Sequence, residues 1–212
     1  MMFGVVSRVT NHSNCFSKIC FLASPKPGAN APLRDACGNS TQPHANAVAA
    51  VSAWTKAFFP TQKVVLGLPS YGYISSSTAR RLRTRAKTKQ KKVKSPSSTS
   101  LRIISEDGGS QGQVQFRELI RQGALKPMNR QNVTTFVGSG GFERLWDPCS
   151  ETPFLRSSRS RQVIAYDDLE SLSLKAAFAR EVGILGVNLF DVHGDTDGWN
   201  LTDCIREALR LI

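Results

Sequence analysis

Three carboxylates and a histidine crowd into one short segment near the C-terminal end of the chain. They are Asp191, His193, Asp195 and Asp197. Oxygen ligands at alternate positions suit calcium, but a calcium loop also needs a glycine at its sixth position and a bidentate acid at its twelfth. The spacing departs from that pattern after Gly198. We therefore predict no metal site here.

A histidine beside acids also suits nucleophilic catalysis, with Ser70 as the candidate nucleophile. Ser70 follows Leu68-Pro69, however, and lacks the first glycine of a nucleophile elbow. A glycosidase would need a carboxylic acid where Trp199 stands, because an indole cannot protonate a leaving oxygen. The alternative interpretation is a polar loop whose acids, together with Asn200, cap the final helix.

Aromatic residues form a second group of side chains that could bind a ligand. Tyr71, Tyr73 and Phe190 fall at the ends of apolar runs. Aromatic rings stack on the apolar faces of sugars, and they also fill protein cores. Their positions favour a cleft lined by Tyr71 and Phe190, whereas Trp54 lies on a helix face and is predicted to be in the core.

Two short apolar runs, residues 63–69 and 184–190, predict the strands that would position these side chains. Continuous apolar runs are typical of parallel strands buried on both faces. Helical spacing predicts helices over residues 46–58 and 171–182, and a further helix from residue 200. In such α/β layers, active sites gather at the carboxyl ends of the strands. The first helix is predicted to bury Val48, Val51, Ala53, Trp54, Ala57 and Phe58.

The stretch between these elements has a different character. A basic, Ser-rich segment, residues 75–100, predicts an exposed mobile loop. A helix over 113–122, hairpin strands over 136–142 and 144–146, and a strand over 162–168 complete the pattern. This part of the chain therefore predicts a small α+β lobe.

Charge and cysteine usage narrow the functional class. Nine of the 28 Lys and Arg lie between Arg80 and Lys94. The charge of the remaining 19 is nearly balanced by the 16 Asp and Glu. That basic run lacks aromatics, which favours a solvated loop over a nucleic-acid patch, although the patch remains an alternative. The five cysteines lack zinc-ligand spacing and suit one or two disulfides of open pairing. We find no signal peptide and no membrane-spanning run.

Several blocks of the sequence resemble family 18 glycoside hydrolases, the chitinases, in the version typical of fungi. Lys63-Val-Val-Leu-Gly-Leu-Pro-Ser-Tyr-Gly72 is similar to that family's seventh barrel strand. Residues 146–155 and 163–168 resemble its insertion domain and exit strand. Residues 171–179 and 186–197 resemble its seventh helix, eighth strand and following loop. The resemblance runs from about residue 23 to the C-terminus.

The resemblance implies an α/β fold: the last two to three βα units of a (β/α)8 TIM barrel, with an α+β insertion domain. Residues 1–22 stay unassigned. Residues 23–73 would hold a helix and the seventh strand, residues 74–165 the insertion lobe with basic loop 80–94, and residues 166–212 the seventh helix, eighth strand and eighth helix. Two or three units are too few to close a barrel.

By the same resemblance, the intact family hydrolyses chitin outside the cell by a substrate-assisted route, without a cofactor. The retained sugar cleft would contain Tyr71, Tyr73, Phe190 and Asp191. The chain lacks the family's D-x-x-D-x-D-x-E acid motif, reads differently around residues 17–22 where Met-x-Tyr-Asp is expected, and has Phe190 in place of a Trp. We therefore expect no hydrolysis by this chain alone, and the partner to be chitin or a chito-oligosaccharide. A truncated enzyme and a non-catalytic binding remnant both remain open.

Overall fold

The computed structural model describes residues 27–40, 42–82, 100–130 and 133–211. Four α-helices, two 3₁₀ helices (Thr61–Lys63 and Val192–Gly194) and nine strands lie in these ranges. The helices are α1 (Ala47–Lys56), α2 (Phe116–Arg121), α3 (Leu169–Glu181) and α4 (Asn200–Ala208). The strands are β1 (Val65–Pro69), β2 (Tyr71–Ser76), β3 (Gly112–Gln115), β4 (Leu125–Arg130), β5 (Val133–Gly138), β6 (Glu143–Asp147), β7 (Thr152–Ser157), β8 (Gln162–Ala165) and β9 (Gly186–Phe190).

Strands β1 and β9 form a parallel pair in which Val65 is opposite Gly186 and Pro69 is opposite Phe190. Their carboxyl ends therefore meet. Helix α3 leads into β9 and packs on the pair, and α4 packs on α3. Leu66 and Leu68 of β1 point into the core that these helices share. This is the arrangement that the α/β pattern of the sequence predicted.

Strand β9 itself differs from the prediction of a strand buried on both faces. Val187 and Leu189 pack against the core, but Asn188 and Phe190 on the opposite face are exposed. The physical reason is coverage: within the described ranges β9 pairs only with β1, and no helix covers its second face. Leu185, just before the strand, is also exposed.

A second sheet has five strands in the order β3–β2–β8–β7–β6, and all neighbouring strands in it are antiparallel. Strand β2 leaves the end of β1 after the single residue Ser70. Gly72 is required in β2 because a Cβ atom there would lie 2.6 Å from the Cβ of Tyr166. The close approach of β2 to β8 thus depends on a residue without a side chain.

The predicted hairpin over residues 136–142 and 144–146 is wrong in its pairing. Residues 136–138 end strand β5 and residues 144–146 lie in β6, but β5 pairs with β4 in a separate two-stranded sheet, and β6 pairs with β7. The predicted helix over 113–122 is likewise a strand, β3, followed by the short helix α2. Local apolar spacing could not separate these cases, because pairing partners lie elsewhere in the chain.

Helices α1, α3 and α4 begin and end close to the predicted residues, but the burial predicted for α1 is partly wrong. Asn46 caps α1 by accepting from the Ala49 N–H at 2.8 Å, and Asp168 and Ser171 form a capping box at α3. The prediction that α1 buries Ala53, Ala57 and Phe58 is wrong. Phe58 adopts φ 58° and is 94% exposed.

Trp54, predicted to be in the core, is half-buried against Phe59, with ring centroids 5.0 Å apart. The loop prediction over residues 75–100 is also wrong at its start, because β2 extends to Ser76 and Leu82 is buried. The remainder, residues 83–99, lies outside the described residues. So do Cys15, Cys20 and residues 1–22.

One disulfide, Cys37–Cys149, confirms the prediction of disulfide bonding and supplies a pairing that the spacing left open. It ties the segment before α1 to the β6–β7 turn. Two backbone hydrogen bonds of 2.9 Å, from Leu33 N–H to Ser150 and from Ala36 N–H to Cys149, reinforce the junction. Cys204 is a free thiol, and burial raises its pKa to about 12.

Candidate functional site

Three of the four predicted site residues meet where β1 and β9 end. Tyr71 begins β2, and Phe190 ends β9. The parallel register places Pro69 opposite Phe190, which brings the two rings to a centroid distance of 6.5 Å at 81°. Asp191 follows directly. The tertiary structure therefore brings together residues that are 119 positions apart or more in sequence.

Tyr73, the fourth predicted residue, extends this row of aromatic side chains along β2. Its ring lies 5.8 Å from that of Tyr71 in an edge-to-face arrangement. Tyr71 is only 8% exposed, whereas Phe190 is 52% exposed. Phe190 therefore presents its ring to solvent, and Tyr71 forms the wall behind it.

Ser70 holds the end of β9 in place. Its N–H donates to the carbonyl of Phe190 at 3.0 Å, and its hydroxyl donates to the carbonyl of Asp191. Gly194 packs so tightly on Ser70 that a side chain there would collide with it. Ser70 is fully buried and its hydroxyl is committed to this contact, whereas His193 is largely exposed. The two therefore do not form a Ser-His pair.

The carboxylate of Asp191 has a neighbour that the sequence did not identify. Gln115 lies opposite Tyr71 in the β2–β3 ladder, and its Nε2 donates to Asp191 Oδ2 at 3.4 Å. His193 Nδ1 is 3.8 Å from the other carboxylate oxygen. Only the strand pairing places Gln115 here, so no local sequence signal could have revealed it.

Burial and neighbouring negative charge keep Tyr71 in its neutral form. Burial is the largest cause that raises its pKa to about 12, followed by the influence of Tyr73, Asp167 and Asp191. The pKa of Tyr73 is also raised, first by burial and then by Glu106. Both phenols are therefore hydrogen-bond donors at neutral pH. The Tyr73 hydroxyl lies 3.4 Å from Gln113 Oε1.

A buried network of hydrogen bonds and one ion pair holds the backbone of Tyr71 in place. Asn30 Nδ2 donates to the carbonyl of Tyr71 at 2.7 Å and lies 3.4 Å from Asp167 Oδ2. Asp167 forms an ion pair with Lys175, and both side chains are almost entirely buried. The Ser171 hydroxyl donates to Asp167 at 2.8 Å. This network fixes the junction of β2, β8 and α3.

The prediction that the acids of the loop after Asp191 cap the final helix is confirmed for one residue and wrong for another. Asp195 is buried and accepts from the N–H groups of Leu201 and Thr202 at 2.9 Å each, so it anchors the start of α4 as predicted. Asp197 instead pairs with Arg117 of α2 at 2.7 Å. The capping prediction is therefore wrong for Asp197, which ties this loop to α2.

Within the described ranges, no group of three or more His, Cys, Asp or Glu side chains is placed to hold a metal ion. No helix in those ranges is long and apolar enough to cross a bilayer. What the site offers is an exposed aromatic ring, a phenol donor, and carboxylate and amide acceptors. Such a set suits a ligand with an apolar face and polar edges.

Comparison with known proteins agrees with the mixed α/β fold described above. The profile of the glycosyl hydrolases family 18 matches residues 18–195. A chitinase-like effector of Moniliophthora roreri is 28% identical over 194 residues, which cover 85% of this chain and 45% of that protein. A chitinase crystal structure from Rhizomucor miehei has a TM-score of 0.61 and 25% identity, covering 87% of this chain and 49% of the other.

A third relative is described as a pseudo-chitinase that retains chitooligosaccharide binding. This is human YKL-39, with a TM-score of 0.63 and 17% identity over 87% of this chain and 46% of that one. At this identity the likeness supports the fold alone. The chain spans about half the length of the relatives it matches. Because the family profile matches most of its residues, this chain belongs to family 18 of the glycosyl hydrolases.

Proposed function

We propose that this chain binds chito-oligosaccharides and does not hydrolyse them by itself. In this proposal β1, α3, β9 and α4 are the last units of a (β/α)8 barrel, and the β2–β8 region is an α+β insertion domain. Membership in family 18 supports a chitin-type ligand. The observation that carries the proposal is the exposed ring of Phe190 beside Tyr71 and Asp191, where the parallel strands end.

The cleft suits a sugar because its apolar and polar groups lie side by side. The face of a pyranose ring presents C–H groups that pack on an aromatic ring, while its hydroxyls point outward. Phe190 can supply the platform, and Asp191 and Tyr71 can accept from and donate to the hydroxyls. Because Ser70 and Asn30 hold this corner by hydrogen bonds, the site is formed before the ligand arrives.

The lack of hydrolysis follows from the chemistry of the residues that are present. Cleavage of a glycosidic bond requires a carboxylic acid to protonate the leaving oxygen. None of the 16 Asp and Glu in these 212 residues falls in a D-x-x-D-x-D-x-E pattern. Asp167 is also unsuited to the task, because it is buried against Lys175.

The binding proposal is tested by calorimetry with a hexamer of N-acetylglucosamine. We expect saturable binding by the wild-type chain and a loss of roughly tenfold in affinity for Phe190→Ala, because removing the platform deletes a central aromatic contact. Phe58→Ala is the matched control: its ring is also exposed, but it lies after α1. That variant should bind like the wild type.

Two results would contradict the proposal. Failure of the wild-type chain to bind the hexamer removes the binding function, and equal affinity of the Phe190→Ala chain removes the assigned site. Release of a fluorescent aglycone from a chitobiose substrate by the purified chain would refute the lack of hydrolysis. A wild-type preparation treated with a family 18 inhibitor separates true turnover from background release.

A further inference from the structure

Among the residues that the structure describes, no Lys or Arg forms an ion pair with the carboxylate of Asp191. In the described part of the chain, its recorded ion-pair contact is with His193, at 3.8 Å. The Asp191 side chain is 35% exposed, so a ligand in the cleft can approach it. By contrast, the other carboxylate near Tyr71, Asp167, is matched by Lys175.

The groups next to Asp191 add acceptors. Asp191 Oδ1 and Gln115 Oε1 are shielded from water, and neither has a hydrogen-bond partner among the described residues. Gln115 uses its amide N–H to approach Oδ2 and leaves its carbonyl oxygen free. These two shielded oxygens place uncompensated negative charge next to the exposed part of the Asp191 side chain. A ligand that brings positive charge to that exposed part is therefore favoured.

The electrostatic surroundings point the same way. Burial is the largest cause of the raised pKa of Tyr71, followed by Tyr73, Asp167 and Asp191, and Glu106 contributes to the raised pKa of Tyr73 after burial. Lys175 offsets the charge of Asp167, so Asp191 and Glu106 supply the negative charge here. This end of the cleft is therefore locally negative in a chain of formal charge +12. A negative site within a basic protein favours a cationic ligand over a neutral one.

We propose that Asp191, oriented by Gln115 beside the exposed ring of Phe190, binds the ammonium group of a de-N-acetylated sugar unit. The chain would then prefer glucosamine-containing chito-oligosaccharides over fully acetylated ones. An ammonium supplies three donors and a positive charge. An acetamide supplies a single N–H and adds a carbonyl oxygen that would face the acceptors. This inference rests on the proposed function, because it assigns a sugar class to the same cleft.

The test compares two hexamers by calorimetry at about pH 6, one of glucosamine and one of N-acetylglucosamine. We expect the wild-type chain to bind the glucosamine hexamer about tenfold more tightly, as a partly exposed ion pair allows. Asp191→Asn keeps the shape of the side chain but removes its charge, and should abolish the preference. Its affinity for the acetylated hexamer should fall by less than its affinity for the glucosamine hexamer, because Asn keeps one acceptor oxygen for the sugar hydroxyls.

Glu181→Gln is the matched control. It removes one negative charge at the end of α3, whereas Asp191 lies beyond the opposite end of β9. This variant should keep the tenfold preference of the wild type. Gln115→Ala removes the group that orients Asp191 and should reduce the preference about threefold.

The outcomes separate this inference from the proposed function. Binding of the acetylated hexamer without preference for glucosamine overturns the amine site and leaves the proposed function standing. A preference that survives Asp191→Asn also overturns it, and binding of neither hexamer overturns both. Salt dependence of the wild-type chain gives an independent measure: the preference should shrink between low and high NaCl, and a constant preference contradicts an ion pair.

Discussion

Strand β8 of the antiparallel sheet and strand β9 of the parallel pair are both largely apolar, but they are buried to different degrees. In β8 all four residues are buried, because Ile164 faces the main core while Val163 and Ala165 face a second cluster with Phe154 and Leu82. In β9 one face packs and the other is open. This difference shows that a strand is buried on both faces only where other elements pack on both faces, whatever its own composition.

The same difference separates structural from functional aromatic residues. Phe154 of β7 lies in the covered sheet and is almost fully buried, whereas Phe190 ends the open face of β9. A ring that remains exposed at a strand end adds little to stability and is available to a ligand. The open face of the parallel pair is thus where we place the sugar cleft.

The largest expected effect comes from truncating these two rings. Phe154→Ala should lower the free energy of unfolding by about 3 to 5 kcal/mol, because it leaves a cavity between the sheet and its covering segment. Phe190→Ala should cost less than about 1 kcal/mol, because its ring is half-exposed already. Urea unfolding followed by circular dichroism measures both. Similar losses of unfolding free energy in the two variants would contradict the proposed difference between the two regions.

A slightly smaller effect is expected at the ion pair that joins the two regions. Asp167→Leu leaves Lys175 buried without a partner and should cost about 3 kcal/mol. Combining it with Lys175→Met replaces the pair by apolar side chains and should recover most of that loss. Urea unfolding of the single and double variants gives the coupling free energy between the two side chains. Additive losses would show that the two charges act independently.

Removal of the disulfide is expected to give the next largest loss of stability. Cys37→Ser with Cys149→Ser opens a link that spans 112 residues and should lower the free energy of unfolding by about 2 to 4 kcal/mol. The loss should appear in the antiparallel sheet, because the bond anchors the β6–β7 turn. Hydrogen exchange can locate it there. Cys204→Ser is the matched control, and an equal loss in that variant would contradict the assignment.

The smallest effect concerns Tyr71, where the two regions touch. Its pKa is raised from 10.0 to about 12, so the folded state favours the neutral phenol. Its contribution to stability is complete below pH 10 and is lost as the pH rises through about 12. The stability of the wild-type chain relative to Tyr71→Phe should therefore fall over this window. Parallel pH profiles for the two chains, measured by urea unfolding, would show that Tyr71 does not contribute.

Much of the fold followed from local pattern. Strand β1 and the helices α1, α3 and α4 could be predicted from spacing, because each depends on residues that are close together in the chain. The pairing of β5 with β4, and the strand at β3, could not be predicted in this way, since an antiparallel partner is chosen by the whole sheet. The exposure of Phe58 and Phe190 depends equally on distant coverage.

By itself, the sequence determined the alternation of apolar strands and helices, the resemblance to family 18, and the aromatic and acidic candidates Tyr71, Tyr73, Phe190 and Asp191. These depend on residue type and short-range order. Only the tertiary structure decided which candidates share a corner, that Cys37 pairs with Cys149, and that Gln115 lies against Asp191. The physical reason is that strand register and long-range packing set distances between residues that are far apart in the chain.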